Sequence, residues 1–150
     1  MENEAKKEAK KEAKVSKEIA IKDFETWAEE NRIEYDEDDM TEEDKACFVP
    51  LKTRIVKAIR DGRCIVDGGH LKYTIQTCER AEGLIGREVE IGRPYGGVFT
   101  GMDGYKETQT VHRLNGAMSA MTGLDVGIFA KLDAWDYTFF TSVAKLFLTI

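Results

Sequence analysis

The chain has 150 residues, 42% of them hydrophobic and 33% charged, with a net charge of -6. The apolar share is enough for a core and excludes a wholly disordered chain, while the charged share requires one segment that faces solvent. No run approaches the roughly 20 apolar residues that span a bilayer, and the Lys/Glu-rich N-terminus lacks a secretory-signal pattern, so the chain reads as cytosolic.

The charge is segregated. Residues 1–22 carry seven Lys and five Glu, residues 23–46 two basic and twelve acidic side chains, and residues 47–150 thirteen basic and eleven acidic ones. The three segments therefore stand at +2, -10 and +2. Such an acidic block repels phosphate backbones. Lys52, Arg54, Lys57, Arg60 and Arg63 lie near one another but are too few to argue for nucleic-acid binding.

In chain order, the Glu-Ala-Lys-Lys repeat that begins at Glu4 consists of good helix formers with Glu/Lys pairs at i,i+3, but it has no apolar face beyond alanine. It reads as an extended, solvated helical spacer. From Ser16, a candidate N-cap, Ile19, Ile21, Phe24, Trp27 and Ala28 recur at helical spacing and predict a helix over about 17–31. Residues 34–46 form an acidic connector, in which Thr41 followed by Glu42, Glu43 and Asp44 has the form of an N-cap with acid in the first turn. A calcium loop needs a central glycine, and none lies between Asp36 and Asp44.

Pro50 is expected to break or start an element, and a helix is predicted over 51–61 with Gly62 at its C-cap. Cys64–Val66 and Leu71–Ile75 flank Asp67-Gly68-Gly69 as a hairpin, and Arg87–Ile91 alternates as a third strand. Glu79–Gly86 reads as a loop. Residues 92–106, with five glycines and one proline, read as a long structural loop that matches neither a phosphate-cradling nor a dinucleotide-binding pattern. Two helices close the chain, about 107–122, stopped by Gly123, and about 134–148, joined by a short helical or turn-like link over 126–132. On the first, Val111, Leu114, Met118 and Met121 share a face; on the second, Trp135, Phe139, Val143, Leu146 and Phe147 form a wide stripe with Phe140 beside it. The fold class is α+β: a small antiparallel sheet packed with C-terminal helices in residues 47–150, preceded by a charged helical arm and acidic connector in residues 1–46.

No constellation for catalysis, cofactor or metal emerges. The three cysteines contain no CxxC pair, which argues against a disulfide framework or a zinc site. His70 lies beside a turn and His112 at a helix boundary. Cys64 and Cys78 flank His70, but a fourth ligand is missing, and they read as small buried hydrophobes. Asp133 and Asp136, at the start of the last helix, are expected to cap it and to offset its dipole.

The C-terminal segment carries a resemblance. Met121-Thr122-Gly123-Leu124, then Ile128 to Tyr137 with Lys131-Leu132 and Asp136-Tyr137, then Val143 to Leu148, is similar to the tail assembly chaperones of long-tailed bacteriophages. There a helix ends at a Leu/Met-Thr-Gly motif, a Lys-Leu-x-x-x-Asp-Tyr-like turn follows, and an apolar helix ends in Phe-Leu. The order of helix, hairpin, strand, glycine loop and helix is similar too, over roughly 50–148; the N-terminal third departs from the family pattern. The resemblance implies a non-catalytic protein of the host-cell cytoplasm that binds the tape-measure protein and the tail-tube protein during tail morphogenesis and is absent from the virion. Met118, Met121, Leu124, Ile128, Phe129, Trp135 and Phe140 are the candidate contact residues. A Met/Phe stripe at this spacing is in the first place core, so contact is expected at its edge, Phe129 and Phe140.

Three other readings stay open: a structural tail component retained in the particle, an acidic interaction module built on residues 23–46, and a small enzyme on an α+β scaffold. An exposed sheet edge and a mobile N-terminal helix leave room for a homo-oligomer.

Overall fold

The computed structural model describes residues 15–148, so the Glu-Ala-Lys-Lys repeats and their predicted spacer helix lie outside the described residues. Within them the fold is α+β, with six α-helices and a three-stranded antiparallel sheet.

Helix α1 (Lys17–Glu30) starts where its cap predicts, with the Ser16 hydroxyl accepting from the Ile19 amide at 3.3 Å. Its buried face is Ala20, Phe24, Trp27 and Ala28. A 3-10 turn over Glu37–Asp39 leads to helix α2 (Glu42–Arg60), whose Thr41 hydroxyl accepts from the Asp44 amide at 3.1 Å. The acidic first turn of α2 suits the positive end of its dipole. Contrary to the sequence expectation, Pro50 neither ends nor begins the helix but lies inside it. A proline removes one amide and frees the carbonyl four residues back. Both Pro50 and Ala46 are exposed, so the break in the hydrogen-bond ladder lies on the solvent side of α2 while Phe48, Leu51, Ile55 and Ile59 hold the other face in the core.

Strands β1 (Cys64–Asp67), β2 (His70–Thr74) and β3 (Glu88–Ile91) are ordered β1-β2-β3. Asp67 pairs with His70, leaving Gly68-Gly69 as a two-residue turn in which Gly68 takes φ +60°, a value that favours glycine. The registers align Cys64, Tyr73 and Val89 in one row and Leu71 with Ile91 in another, all buried. Ile65, Lys72 and Glu90 form the outward-facing row between them. Loop 79–86 contains a 3-10 turn over Glu82–Leu84.

The glycine-rich stretch is a correction: Gly96–Met102 forms a helix, α3, where a loop was expected. It packs on helix α4 (Thr110–Thr122) at a glycine–glycine crossing. A Cβ added to Gly116 would stand 2.0 Å from the Gly101 carbonyl oxygen, and one added to Gly101 2.5 Å from that of Gly116. The glycines let two helix backbones touch, and the packing contact offsets their low helix propensity. Helix α4 starts at Thr110 rather than near Glu107 and ends at Gly123, φ +73°, as expected. Val111 is 57% exposed and so leaves the face it was assigned to.

After α5 (Val126–Lys131), helix α6 (Ala134–Leu148) is buried at Asp136, Phe139 to Ala144, Leu146 and Phe147. It is covered by the sheet, α1, α2, α4 and α5. Tyr73 stacks on Phe139 at 4.2 Å, Trp27 meets Phe147 edge-on at 5.5 Å, and Phe129 meets Phe140 at 5.5 Å. The boundary expected after residue 46 falls inside α2, and α1 contributes to the same core as the rest. The Asn31 side-chain amide closes this junction, donating to the Trp27 carbonyl at 2.9 Å and to that of Gly69, at the hairpin tip, at 3.0 Å.

Trp27→Ala is therefore expected to cost about 3–5 kcal/mol, as for a large core aromatic. Urea denaturation checks this. A loss below about 0.5 kcal/mol, ordinary for a surface side chain, would mean that α1 is a detachable arm.

Candidate functional site

The residues proposed from sequence for partner contact divide into two groups. Met118, Met121, Phe129 and Phe140 are at most 6% exposed and belong to the core. The expectation that Phe129 and Phe140 form an accessible edge is thus corrected: they pack against each other, and Phe140 also meets Tyr73 edge-on. Leu124 and Ile128 are half-buried. Trp135 is 58% exposed and leaves the buried stripe of α6. Its ring is fixed, because the indole Nε1 donates to Thr77 Oγ1 at 3.1 Å and that hydroxyl donates to Asp133 at 2.8 Å.

The sequence reading missed that α3 and its flanks carry exposed aromatic side chains. Tyr95, Phe99, Tyr105 and Val111 are all exposed, Phe99 most of all at 67%. The Tyr95 hydroxyl donates to the Ala120 carbonyl at 3.3 Å, which ties the start of α3 to α4. Tyr105 stacks on His112 with centroids 5.6 Å apart. Tyr95 and Phe99 are four residues apart, one helical turn, and that spacing was the available signal; the glycines around it obscured the helix.

Asp136 stands in the first turn of α6, as expected, but it is also fully buried and accepts a short hydrogen bond from the Tyr73 hydroxyl, which the sequence reading did not anticipate. Arg63 donates to the same hydroxyl at 3.1 Å and to Asp61 at 3.4 Å. Among the described residues Asp136 Oδ2 has no partner. Burial raises the Asp136 carboxyl above the ordinary carboxylate range, opposed by the Tyr73 hydrogen bond and by Arg63. Burial and then the Asp136 hydrogen bond push the Tyr73 hydroxyl up as well. The trio pins β2 to α6.

Among the described residues, three surface cavities stand out. A groove of about 560 Å³ between α1 and α2 is lined by Val15, Ile21, Val49, Thr53 and Val56, with Lys17, Lys52, Lys57, Arg60, Glu37 and Asp61 around it. Beside it an acidic cleft of about 500 Å³ is lined by Glu25, Ile33, Glu34, Tyr35, Asp36, Glu37, Asp38, Asp39 and Lys52. The negative field there is felt by Tyr35, whose hydroxyl is raised by Glu29 first, then by desolvation and by Glu25, Asp36 and Glu34. A third, apolar cleft of about 360 Å³ joins Ile33, Met40, Cys47, Phe48, Leu51 and Leu146. None of the three is lined by Arg63, Tyr73 or Asp136.

Among the described residues no group of three or more His, Cys, Asp and Glu side chains is placed to hold a metal ion, and no helix is long and apolar enough to cross a membrane. His70 instead meets Glu90 at 2.7 Å across the outer face of the sheet. Cys64 and Cys78 are buried as expected, and burial pushes the Cys64 thiol up to about 12 despite nearby Arg63. No family model, curated protein or solved structure matches the chain.

Two measurements follow. A carboxyl raised in the folded state binds its proton more tightly there than in the unfolded chain, so its contribution is fully present below the unfolded value near ~4 and is lost as pH rises through the folded value. Asp136→Asn keeps an acceptor for Tyr73 but does not titrate, so its urea-unfolding free energy should decline less than that of the parent chain as pH is raised from about 4 to about 8. In native thiol labelling the exposed Cys47 should react fast, and Cys64 and Cys78 only after denaturation.

Proposed function

We propose that this protein is a non-catalytic phage or prophage tail assembly chaperone, acting in the host-cell cytoplasm on the tape-measure protein, the tail-tube protein or both. The observation that carries the reading is the exposed aromatic surface of α3 and its flanks, lying within the segment that resembles that family. Exposed aromatic side chains grouped on one unit are a common mark of a protein-binding surface. The order α2, hairpin, β3, α4 follows the one the resemblance implies, but helix α3 stands where that pattern has a glycine loop.

The physical logic is reversible cover. A tape measure has apolar helical faces that stay open until the tube encloses them. A chaperone needs apolar side chains that are accessible yet anchored, so that little ordering entropy is lost on binding. Tyr95, held by its hydroxyl to α4, and Tyr105, stacked on His112, meet that requirement. The buried methionines of α4 do not, and on this reading they support the surface from beneath.

Co-expression with the tape-measure protein of the same phage should raise the latter's soluble yield. Phe99→Asp should abolish that gain while changing stability by no more than about 0.5 kcal/mol, as expected for an exposed position. An equal gain with the variant would move the contact elsewhere. No gain with the parent chain would count against the chaperone reading, and stoichiometric recovery in purified virions would replace it with a structural role.

A further inference from the structure

The groove between α1 and α2 and the acidic cleft beside it are not two independent features. They share Glu37 and Lys52, whose side chains form an ion pair at 3.5 Å, so a positive and a negative surface adjoin along one seam. On the groove side Lys17, Lys57 and Arg60 are exposed and have no ion-pair partner among the described residues. On the other side Glu34, Asp38 and Asp39 are exposed and equally without a cation. The groove floor is apolar, built by Val15, Ile21, Val49 and Val56.

Opposite charges placed side by side are self-complementary under a two-fold rotation, which brings each half of the seam onto the other half of a second copy. We propose that this seam is a self-recognition surface: the acidic turn 34–39 of one copy seats in the cationic groove of another, and the reciprocal contact forms at the same time. The occupant is chosen by charge found in this chain. The apolar floor excludes water beneath the paired charges, which strengthens each pair relative to one in open solvent. The surface is distinct from the aromatic surface on α3 and does not depend on the chaperone reading.

The test is sedimentation of the full chain at about 100 μM protein, in about 20 mM and about 500 mM salt, since screening acts on exposed pairs. A dimer is expected at low salt and a monomer at high salt. Two charge-reversed variants, Lys57→Glu/Arg60→Glu and Asp38→Lys/Asp39→Lys, should each weaken self-association by at least about tenfold. Their equimolar mixture should restore a heterodimer, because the altered groove of one then faces the altered turn of the other. A parent chain that is monomeric at both salts, its groove left to some other segment or partner, overturns the proposal. So does a dimer that high salt or the reversals leave intact, or folded variants that fail to complement.

Discussion

A helix buried on nearly every side cannot stand at the edge of a fold, and α6 imposes that constraint here. Its residues from Phe139 to Ala144 are consecutive and all buried, so no stripe along that stretch is free to face water. The other elements are arranged as its cover. The sheet offers Tyr73, α1 offers Trp27, α5 offers Phe129, and α2 reaches Ser142 through Arg54 at 3.5 Å. Tyr137 secures the remaining side by donating to Asn115 of α4 at 2.8 Å. The buried Asp136 carboxyl fits the same scheme. It gives the helix a polar point of registry against β2, at the cost of an oxygen left without a hydrogen bond among the described residues.

Because the core is committed to covering α6, the surfaces left for partners lie on peripheral elements. The α3 surface rests on a crossing so close that only glycine fits at either contact point. Its aromatic side chains project from a short helix that owes its place to that crossing. The α1–α2 seam is of a different kind, governed by charge rather than by aromatic area. The two surfaces are of unlike chemistry and lie on separate elements, so the proposed client and the proposed second copy would not compete for one site. One would respond to apolar truncation and the other to salt.

Local chemistry was legible wherever it is decided within a few residues. Ser16 and Thr41 cap their helices because a hydroxyl reaches an amide three residues on, and Gly123 ends α4 because it adopts a left-handed backbone without a Cβ clash. The Gly68-Gly69 turn, the strand alternation over 88–91 and the α+β class follow from the same short-range rules. The helix through Pro50 was not legible, because its continuation depends on which side of α2 meets the core.

The candidate surface divides along the same line. That Met118, Met121, Phe129 and Phe140 are apolar is plain from the residues, but periodicity identifies a stripe without saying what lies against it. The core claimed all four and left Trp135, Phe99 and Tyr95 outside. Likewise the acidic block is a property of the chain, whereas its position beside a cationic groove is a property of the packing of α1 on α2. Caps, turns and alternation depend on neighbours along the backbone, so composition and spacing determine them; exposure and charge juxtaposition depend on neighbours across space, which only the assembled fold supplies.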